Sequence, residues 1–266
     1  MKYLCPRAKR GEMEGIMEIL EFGNKNKPKI ILVHGFQSPY QVWNKYIEYF
    51  KNDFHILVPI LTGHNPGQPE NFVSFFDDAK EIEDYYIHHY GNNLYAIFGM
   101  SMGGVLSAIL WQNKKLNINK VIFDGSPLVS YNNLIKKMFV KFYTNITHKA
   151  QQRDKKTIRH AVNSIISEKN LKDFLNVLDS MSDTTIVNCI TSVGEYKLPS
   201  DIDTPETKIY YYYGTALNEI FSRKTAKFLL KNYSNSNIKC FKWRGHCEYS
   251  LIYPEIMIKE LDEVLI

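Results

Sequence analysis

The residues best suited to do chemistry are the sequence Gly-Met-Ser-Met-Gly at 99–103. They follow an apolar run at 94–98 and precede a second apolar run with helical spacing. A serine at a tight turn between a strand and a helix adopts strained backbone angles, and glycines two residues before and after it leave room for that turn. The pattern predicts that Ser101 is a nucleophile whose hydroxyl stands clear of the sheet, with Gly99 and Gly103 as the spacing glycines.

A second element is His-Gly-Phe at 34–36, directly after an apolar run at 29–33. Acyl transfer generates an oxyanion, which is stabilised by preorganised amide donors aimed at it. We expect the backbone N–H groups of Phe36 and Met102 to be those donors. Gly35 would let the backbone approach the substrate closely, because it has no side chain to obstruct it.

Serine alone is a weak nucleophile, so a general base must lie within hydrogen-bond reach. We predict that His246 is this base. It occurs in the sequence Trp-Arg-Gly-His-Cys at 243–247, between the last predicted strand and the final predicted helix. The other seven histidines are placed in less suitable elements: His34, His55, His64, His88, His89, His148 and His160.

Short apolar runs bounded by turn residues predict the strands that must position these groups. Most of them are apolar on both faces, which is typical of central parallel strands covered by helices. Helical patterns alternate with them, so we expect an α/β fold with a doubly wound, mostly parallel sheet. The predicted strands are 15–22, 29–33, 55–60, 94–98, 120–123, 208–213 and 238–243.

The alternation of strands and helices breaks at 127–204, where several apolar stripes have helical spacing and no strand is convincing. One stripe consists of Leu134, Ile135, Met138 and Phe142. Helical insertions between sheet strands commonly cover the carboxyl ends of the strands, where such sheets bind ligands. We therefore predict a sheet core at 1–126 and 205–266 and a helical cap, or lid, at 127–204.

Composition excludes several classes of protein. The 266 residues are 44% hydrophobic and 23% charged, which indicates a globular chain, and the net charge of +5 is scattered, so no nucleic-acid partner is expected. The four cysteines form no pair with the spacing of a zinc site or a disulfide framework, which favours reduced thiols and therefore a cytoplasmic protein. We also expect no metal or organic cofactor. The uncharged run at 94–111 has the length of a membrane span, but its glycines favour a strand, a turn and a helix over stable membrane insertion.

In this order of motifs the chain resembles an α/β-hydrolase fold protein of the serine esterase and lipase type, similar to monoacylglycerol lipases or carboxylesterases. The family runs from a His-Gly loop through a Gly-His loop, here Gly63-His64, to the serine turn, a helical cap, an acid and a histidine. The resemblance covers nearly the whole chain. It implies a catalytic acid between Ser101 and His246.

The acid departs from the family pattern. The family usually carries Asp three residues after the glycine that ends the penultimate strand, but Leu217 stands at that distance from Gly214. Glu219 comes two residues later and is our favoured acid, because its longer side chain could compensate for a displaced backbone. Asp124 is the alternative, since some members of the fold place the acid after the preceding strand.

These residues together predict a serine hydrolase that cleaves a carboxylic ester with a small or partly apolar acyl group, through an acyl-serine intermediate. A thioesterase, or another acyl hydrolase with the same triad, is an alternative. A non-catalytic binding protein on the same fold is another, and the displaced acid is its only support. The sequence leaves the oligomeric state open.

Overall fold

The computed structural model describes residues 2–4, 17–68 and 70–266. The strands of the described residues are β1 (Lys2–Leu4), β2 (Glu18–Phe22), β3 (Lys29–Val33), β4 (His55–Pro59), β5 (Asn93–Met100), β6 (Asn117–Asp124), β7 (Lys208–Gly214) and β8 (Ser236–Phe241). Their α-helices are α1 (Asn44–Phe50), α2 (Phe75–Tyr90), α3 (Met102–Gln112), α4 (Asn133–Gln151), α5 (Lys155–Ser164), α6 (Leu171–Ser180), α7 (Asp183–Glu195), α8 (Ile220–Asn232), α9 (Glu248–Leu251) and α10 (Pro254–Leu265).

The strands form one sheet in the order β1-β2-β4-β3-β5-β6-β7-β8. Strands β4, β3, β5, β6, β7 and β8 run parallel to one another, whereas β1 and β2 are antiparallel to their neighbours. The predicted doubly wound, mostly parallel sheet is therefore confirmed. The first two residues of the predicted strand at 15–22 lie outside the described residues, as does Cys5.

The register of the central strands brings their carboxyl ends to one edge of the sheet. Val33 pairs with Gly99, and Met100 pairs with Asp124. The next strand ends at Gly214, beside β8. The loops that carry the predicted site residues therefore all leave the sheet at the same edge.

Two apolar clusters cover the two faces of the sheet. Successive residues of β5 point to opposite faces: Ile97 belongs to the cluster that includes α2 and α3, and Phe98 to the cluster that includes α1 and α10. Both side chains are almost fully buried. Burial on both faces explains why the central strands read as continuous apolar runs rather than as alternating ones.

Helices α4 to α7 lie between β6 and β7 in the chain, within the predicted insertion. Some of their side chains form a separate apolar cluster that includes Ala150, Ala161 and Phe174. The division of the chain at 127 and 204 into core and cap stays a prediction. We refer to α4 to α7 below as the inserted helices.

Three of the four residues of the predicted stripe on α4 face outward rather than into the protein, and Ile135 is half-buried. Leu134, Met138 and Phe142 are all more than half exposed. The inward face of α4 is formed instead by residues such as Phe139 and Tyr143, which pack against a cluster from α6 and α7. Because α4 carries apolar residues on two faces, its periodicity alone could not say which face is buried.

The uncharged run at 94–111 is divided between β5 and α3, as predicted. Within residues 2–4, 17–68 and 70–266, no helix has the length and apolar character needed to cross a membrane. The location of the protein in the cell stays a prediction.

Candidate active site

Ser101 occupies the turn between β5 and α3. Its backbone has φ 53° and ψ −118°, a conformation that side-chain-bearing residues rarely adopt. The strained residue is held from both sides, because its N–H donates to the Asp124 carbonyl at 2.8 Å and the helix begins at the next residue. Such strain is found at functional turns that the surrounding structure enforces.

Gly99 and Gly103 let this turn pack against its neighbours. A Cβ on Gly99 would lie 2.6 Å from the Gly103 carbonyl oxygen, and one on Gly103 would lie 2.8 Å from the Val33 carbonyl carbon. Real Cβ atoms essentially never show contacts this short, so backbone would have to shift to admit a side chain at either position. The serine turn and the end of β3 could not approach each other with larger residues at these positions.

His246 lies in the loop between β8 and α9 and contacts Ser101. The Ser101 hydroxyl donates a hydrogen bond to His246 Nε2 at 2.8 Å. On the other side of the ring, His246 Nδ1 donates to Glu219 Oε1 at 3.0 Å. The two bonds assign the proton to Nδ1 and leave Nε2 able to accept a proton.

Glu219 ends a short helical turn after β7 and is fully buried. Burial opposes a positive charge on His246, but the Glu219 carboxylate outweighs it and, with a smaller contribution from Asp124, raises the pKa of the imidazole above its ordinary value. The carboxylate thus both orients the ring and stabilises its protonated form.

Asp124, the alternative acid, is placed differently. It ends β6 in a fully buried position, and the Ser250 hydroxyl donates to its Oδ2 at 2.5 Å. Burial raises the pKa of this carboxyl to about 7. Among the hydrogen bonds of the described residues, the carboxylate bonded to His246 belongs to Glu219 and not to Asp124.

The two residues whose backbone N–H groups are predicted to bind an oxyanion, Phe36 and Met102, line the same cavity as Ser101. Met102 is the first residue of α3, so its N–H has no acceptor within the helix. Phe36 follows β3 and lines the same cavity as Ser101 and Met102. A Cβ on Gly35 would lie 3.4 Å from Ser101 Cβ, which shows how closely this loop approaches the serine.

The cavity above Ser101 has a volume of about 740 Å³, which is within the range of small-molecule sites. It extends from the sheet edge, where His246 and Asn218 line it, into the space between the inserted helices. Lys156 and His160 of α5 line it as well. Most of its remaining wall is apolar, with contributions from Phe139, Phe142, Ile158, Ile165, Phe174 and Leu178.

Comparison with known proteins identifies the family. Residues 28–162, about half of the chain, match a family model described as alpha/beta hydrolase fold. The chain belongs to the α/β-hydrolase fold family. The predicted family resemblance is confirmed by this match, and so is the prediction of a hydrolase-type enzyme.

Relatives of this α/β-hydrolase include a pimeloyl-[acyl-carrier protein] methyl ester esterase from Legionella pneumophila (strain Corby), 23% identical over 241 residues, which are 89% of this chain and 94% of the relative. Among solved structures, an α/β-hydrolase family protein from Desulfitobacterium hafniense has a TM-score of 0.74 at 18% identity, with 93% of this chain and 100% of that one covered. A thermophilic esterase from Thermogutta terrifontis has a TM-score of 0.75 at 14% identity, and the match covers 100% of this chain and 98% of that one. At these identities the structures share the fold.

Sequence reasoning missed one contact in this hydrolase. Gln37 follows the predicted oxyanion loop with φ 62°, and its Nε2 donates to Thr147 Oγ1 of α4 at 2.5 Å. The Thr147 hydroxyl donates in turn to the Tyr143 carbonyl at 2.7 Å. The rings of Tyr143 and Phe36 pack edge to face, 5.3 Å apart. Helix α4 therefore contacts two successive residues of the loop, at a sequence separation that no local pattern reveals.

The His34 side chain, which precedes Gly35, is held in a neutral form by its two hydrogen bonds and by burial. His34 Nδ1 donates to the Gly35 carbonyl, and its Nε2 accepts from the Leu61 N–H. Burial lowers the pKa of His34 to about 4, so its ring is uncharged at neutral pH.

In the parts of the chain that the structure describes, we find no group of three or more His, Cys, Asp or Glu side chains that could hold a metal ion.

Proposed function

We propose that this α/β-hydrolase is a serine esterase that cleaves carboxylic esters through an acyl-serine intermediate. The observation that carries the proposal is the continuous hydrogen-bonded chain from Glu219 through His246 to Ser101. Nucleophile, base and orienting acid have the relative positions that nucleophilic acyl transfer requires.

In the proposed acylation step, Ser101 Oγ attacks the ester carbonyl carbon while His246 Nε2 takes the hydroxyl proton. Glu219 stabilises the imidazolium that forms and keeps its proton on Nδ1. The carbonyl oxygen becomes an oxyanion, for which the N–H groups of Phe36 and Met102 are the proposed donors. His246 then gives its proton to the leaving alcohol, and the acyl group remains on Ser101.

In the proposed deacylation step, water replaces the alcohol. His246 removes a proton from the water as it attacks the acyl carbon, and a second oxyanion forms in the same place. Collapse of this intermediate releases the acid and returns the proton to Ser101. The raised pKa of His246 suits a group that must accept and release a proton twice in each turnover.

The mostly apolar cavity supports a substrate whose acyl chain extends from Ser101 into the space between the inserted helices. The Legionella relatives are named for a methyl ester of an acyl chain. We therefore propose an ester of a small alcohol with a partly apolar acyl chain as the substrate. We propose also that residues 127–204 act as a cap over the core at 1–126 and 205–266.

The contacts of Glu219 weaken the alternative of a non-catalytic binding protein. Its only support was the displaced acid, and the longer Glu219 side chain does reach His246. A thioester would present a similar carbonyl to Ser101, so a thioesterase is the alternative function, and hydrolysis of an ester and a thioester of the same acyl chain compares the two.

The proposal is tested by hydrolysis of p-nitrophenyl butyrate by the full chain and by its Ser101→Ala and His246→Gln variants. We expect turnover by the wild-type protein and a loss of several orders of magnitude in each variant, about 10⁶-fold in a comparable hydrolase. Circular dichroism checks that the variants are folded. Hydrolysis by a folded Ser101→Ala variant at the wild-type rate would refute the proposal.

A further inference from the structure

Helix α4 presents an apolar stripe to solvent. Leu134, Met138 and Phe142 follow one another at four-residue spacing, and Leu134 is 77% exposed. Helices of globular proteins ordinarily turn such stripes toward the core. The core-facing side of α4 is already supplied with apolar residues such as Phe139 and Tyr143, so the outward stripe is not needed to hold the fold together.

Basic residues flank this stripe. Lys137 and Lys141 are exposed beside it, and α4 contains no Asp or Glu. Among the ion pairs of the described residues, none involves either lysine. Residues 133–164 contain eight Lys or Arg and one Asp, whereas the rest of the chain contains 25 basic and 27 acidic residues. The net positive charge, expected from the sequence to be scattered, is therefore concentrated at residues 133–164, which span α4 and α5.

More exposed apolar side chains lie on the loops after β7 and β8. Leu217 is 93% exposed and Trp243 is 90% exposed. These loops contact each other, since the Trp243 N–H donates to Thr215 Oγ1 at 2.7 Å. Helix α8, which follows the first of these loops, contacts α4, because the rings of Phe221 and Phe139 lie 6.0 Å apart.

Helix α4 and the loops after β7 and β8 each contribute residues to the lining of the cavity that holds Ser101. Phe142 and Asn218 are exposed and also line this cavity, and Asn218 directly follows Leu217. Trp243 comes three residues before His246, which lines the cavity as well. We call the set Leu134, Met138, Phe142, Leu217 and Trp243, with Lys137 and Lys141, the entrance rim.

We propose that the entrance rim docks on an anionic lipid surface and brings the cavity opening against it. Apolar side chains beside lysines on one helix face are what an interfacial helix presents to a membrane, and tryptophan favours the same interface. The concentrated positive charge is complementary to anionic headgroups. A protruding leucine and tryptophan, each nine-tenths exposed, can enter a lipid surface without a preformed pocket in the partner. The docking does not depend on the proposed esterase activity.

Tryptophan fluorescence gives a direct test with the full chain. Of the three tryptophans, Trp43 and Trp111 are buried, so a change on adding lipid reports Trp243. At about 0.1 M salt we expect a blue shift with vesicles of phosphatidylcholine containing about 30% phosphatidylglycerol, and little change with phosphatidylcholine alone. The shift should disappear in Trp243→Phe. The Ser101→Ala variant should bind as the wild type does, which separates docking from catalysis.

Co-sedimentation with the same anionic vesicles identifies the surface. We expect Leu134→Glu/Met138→Glu and Lys137→Glu/Lys141→Glu each to weaken binding about tenfold or more. Leu230→Glu is the matched control, because Leu230 is an exposed leucine near the end of α8, outside the entrance rim, and should leave binding unchanged. Hydrolysis of a soluble short-chain ester should be unchanged in all three variants.

Several outcomes would overturn the proposal. One is failure of the full chain to bind anionic vesicles, and another is binding that the entrance-rim variants and Leu230→Glu weaken equally. If light scattering shows a dimer that Leu134→Glu/Met138→Glu dissociates while vesicles are not bound, the entrance rim is a contact between copies of this chain instead. Binding to an acidic protein but not to anionic vesicles would also contradict it.

Discussion

At His246 the ring lies between the hydroxyl of Ser101 and the carboxylate of Glu219, and this position governs how the reaction depends on pH. The base must be neutral to accept a proton, so kcat/KM should fall as pH decreases through the imidazole pKa. Because Glu219 raises that pKa, the midpoint should lie above the usual histidine value of about 6.5. A pH profile of ester hydrolysis measures it.

Substitution of the two buried carboxylates separates their roles. Glu219→Gln removes the charge that raises the pKa, so the midpoint should move to lower pH and the rate should fall by about four orders of magnitude, as in a comparable triad. Asp124→Asn should lose far less activity, since Asp124 is bonded to Ser250. If Asp124→Asn lost as much activity as Glu219→Gln, the assignment of the acid would be wrong.

Asp124 should also make the stability of the protein depend on pH. Its folded-state pKa of about 7 lies above the unfolded value of about 3.9, so the folded state holds the proton more tightly. The stability that this provides is fully present below the unfolded pKa and is lost as pH rises through the folded pKa. Between pH of about 4 and 7 the free energy of unfolding should thus fall by up to roughly 4 kcal/mol because of this group.

Denaturant unfolding of the wild type and Asp124→Asn at several pH values checks this dependence. The free energy of unfolding of the variant should fall less over this pH range, because the variant lacks the Asp124 carboxyl and the smaller effect of that carboxyl on the pKa of His246. Parallel pH curves for the two proteins would show that the Asp124 carboxyl is ionised normally in the folded state.

At the scale of elements, α4 is joined to the predicted oxyanion loop through the Gln37–Thr147 hydrogen bond. Thr147→Val keeps the shape of the side chain but leaves the buried Gln37 amide without its acceptor, which costs about 1–3 kcal/mol. If the bond positions the neighbouring Phe36 N–H, kcat on a short ester should fall by about tenfold or more with little change in KM. The Thr147→Ser variant keeps the hydroxyl and should therefore retain most of the wild-type kcat.

Thermal unfolding of the same two variants shows whether the Gln37–Thr147 hydrogen bond positions the Phe36 N–H for catalysis or only stabilises the fold. A Thr147→Val variant with reduced melting temperature and wild-type kcat would mean that the bond stabilises the fold without holding the loop for catalysis.

The elements themselves were predictable to different degrees. Strand β3 has the predicted bounds, because its apolar run is bounded by Pro28 on one side and by His34-Gly35 on the other. Strand β8 lies two residues earlier than predicted, since it is a half-exposed edge strand whose apolar pattern is weak. The three-residue β1 gave no signal of its own, and the two apolar faces of α4 hid which one is buried.

For the whole molecule, motif order predicted the residues that meet at the sheet edge, because parallel strands bring their carboxyl ends together. It favoured Glu219 as the acid but left Asp124 open, since Asp124 ends β6, Glu219 follows the neighbouring β7, and only side-chain geometry separates them. The Gln37–Thr147 contact and the depth of the cavity depend on how the inserted helices pack over the sheet. No local sequence pattern encodes that packing.

The size of the cavity predicts a preference for acyl chain length. Each methylene buried in an apolar wall contributes about 0.8 kcal/mol, so kcat/KM should rise by about fourfold per methylene until the cavity of about 740 Å³ is filled. Ala161→Phe adds a ring to the wall formed by α5 and should reduce activity on long acyl esters while acetate esters are unaffected. A wild-type profile that is flat from acetate to octanoate would contradict an acyl site between the inserted helices.

The covalent intermediate is the central claim, and labelling with a fluorophosphonate probe tests it most directly. We predict one adduct per chain, located at Ser101 by peptide mass spectrometry, absent from Ser101→Ala and much slower to form in Glu219→Gln. A folded wild-type protein that takes up no label, or that carries it on another residue, would contradict the account.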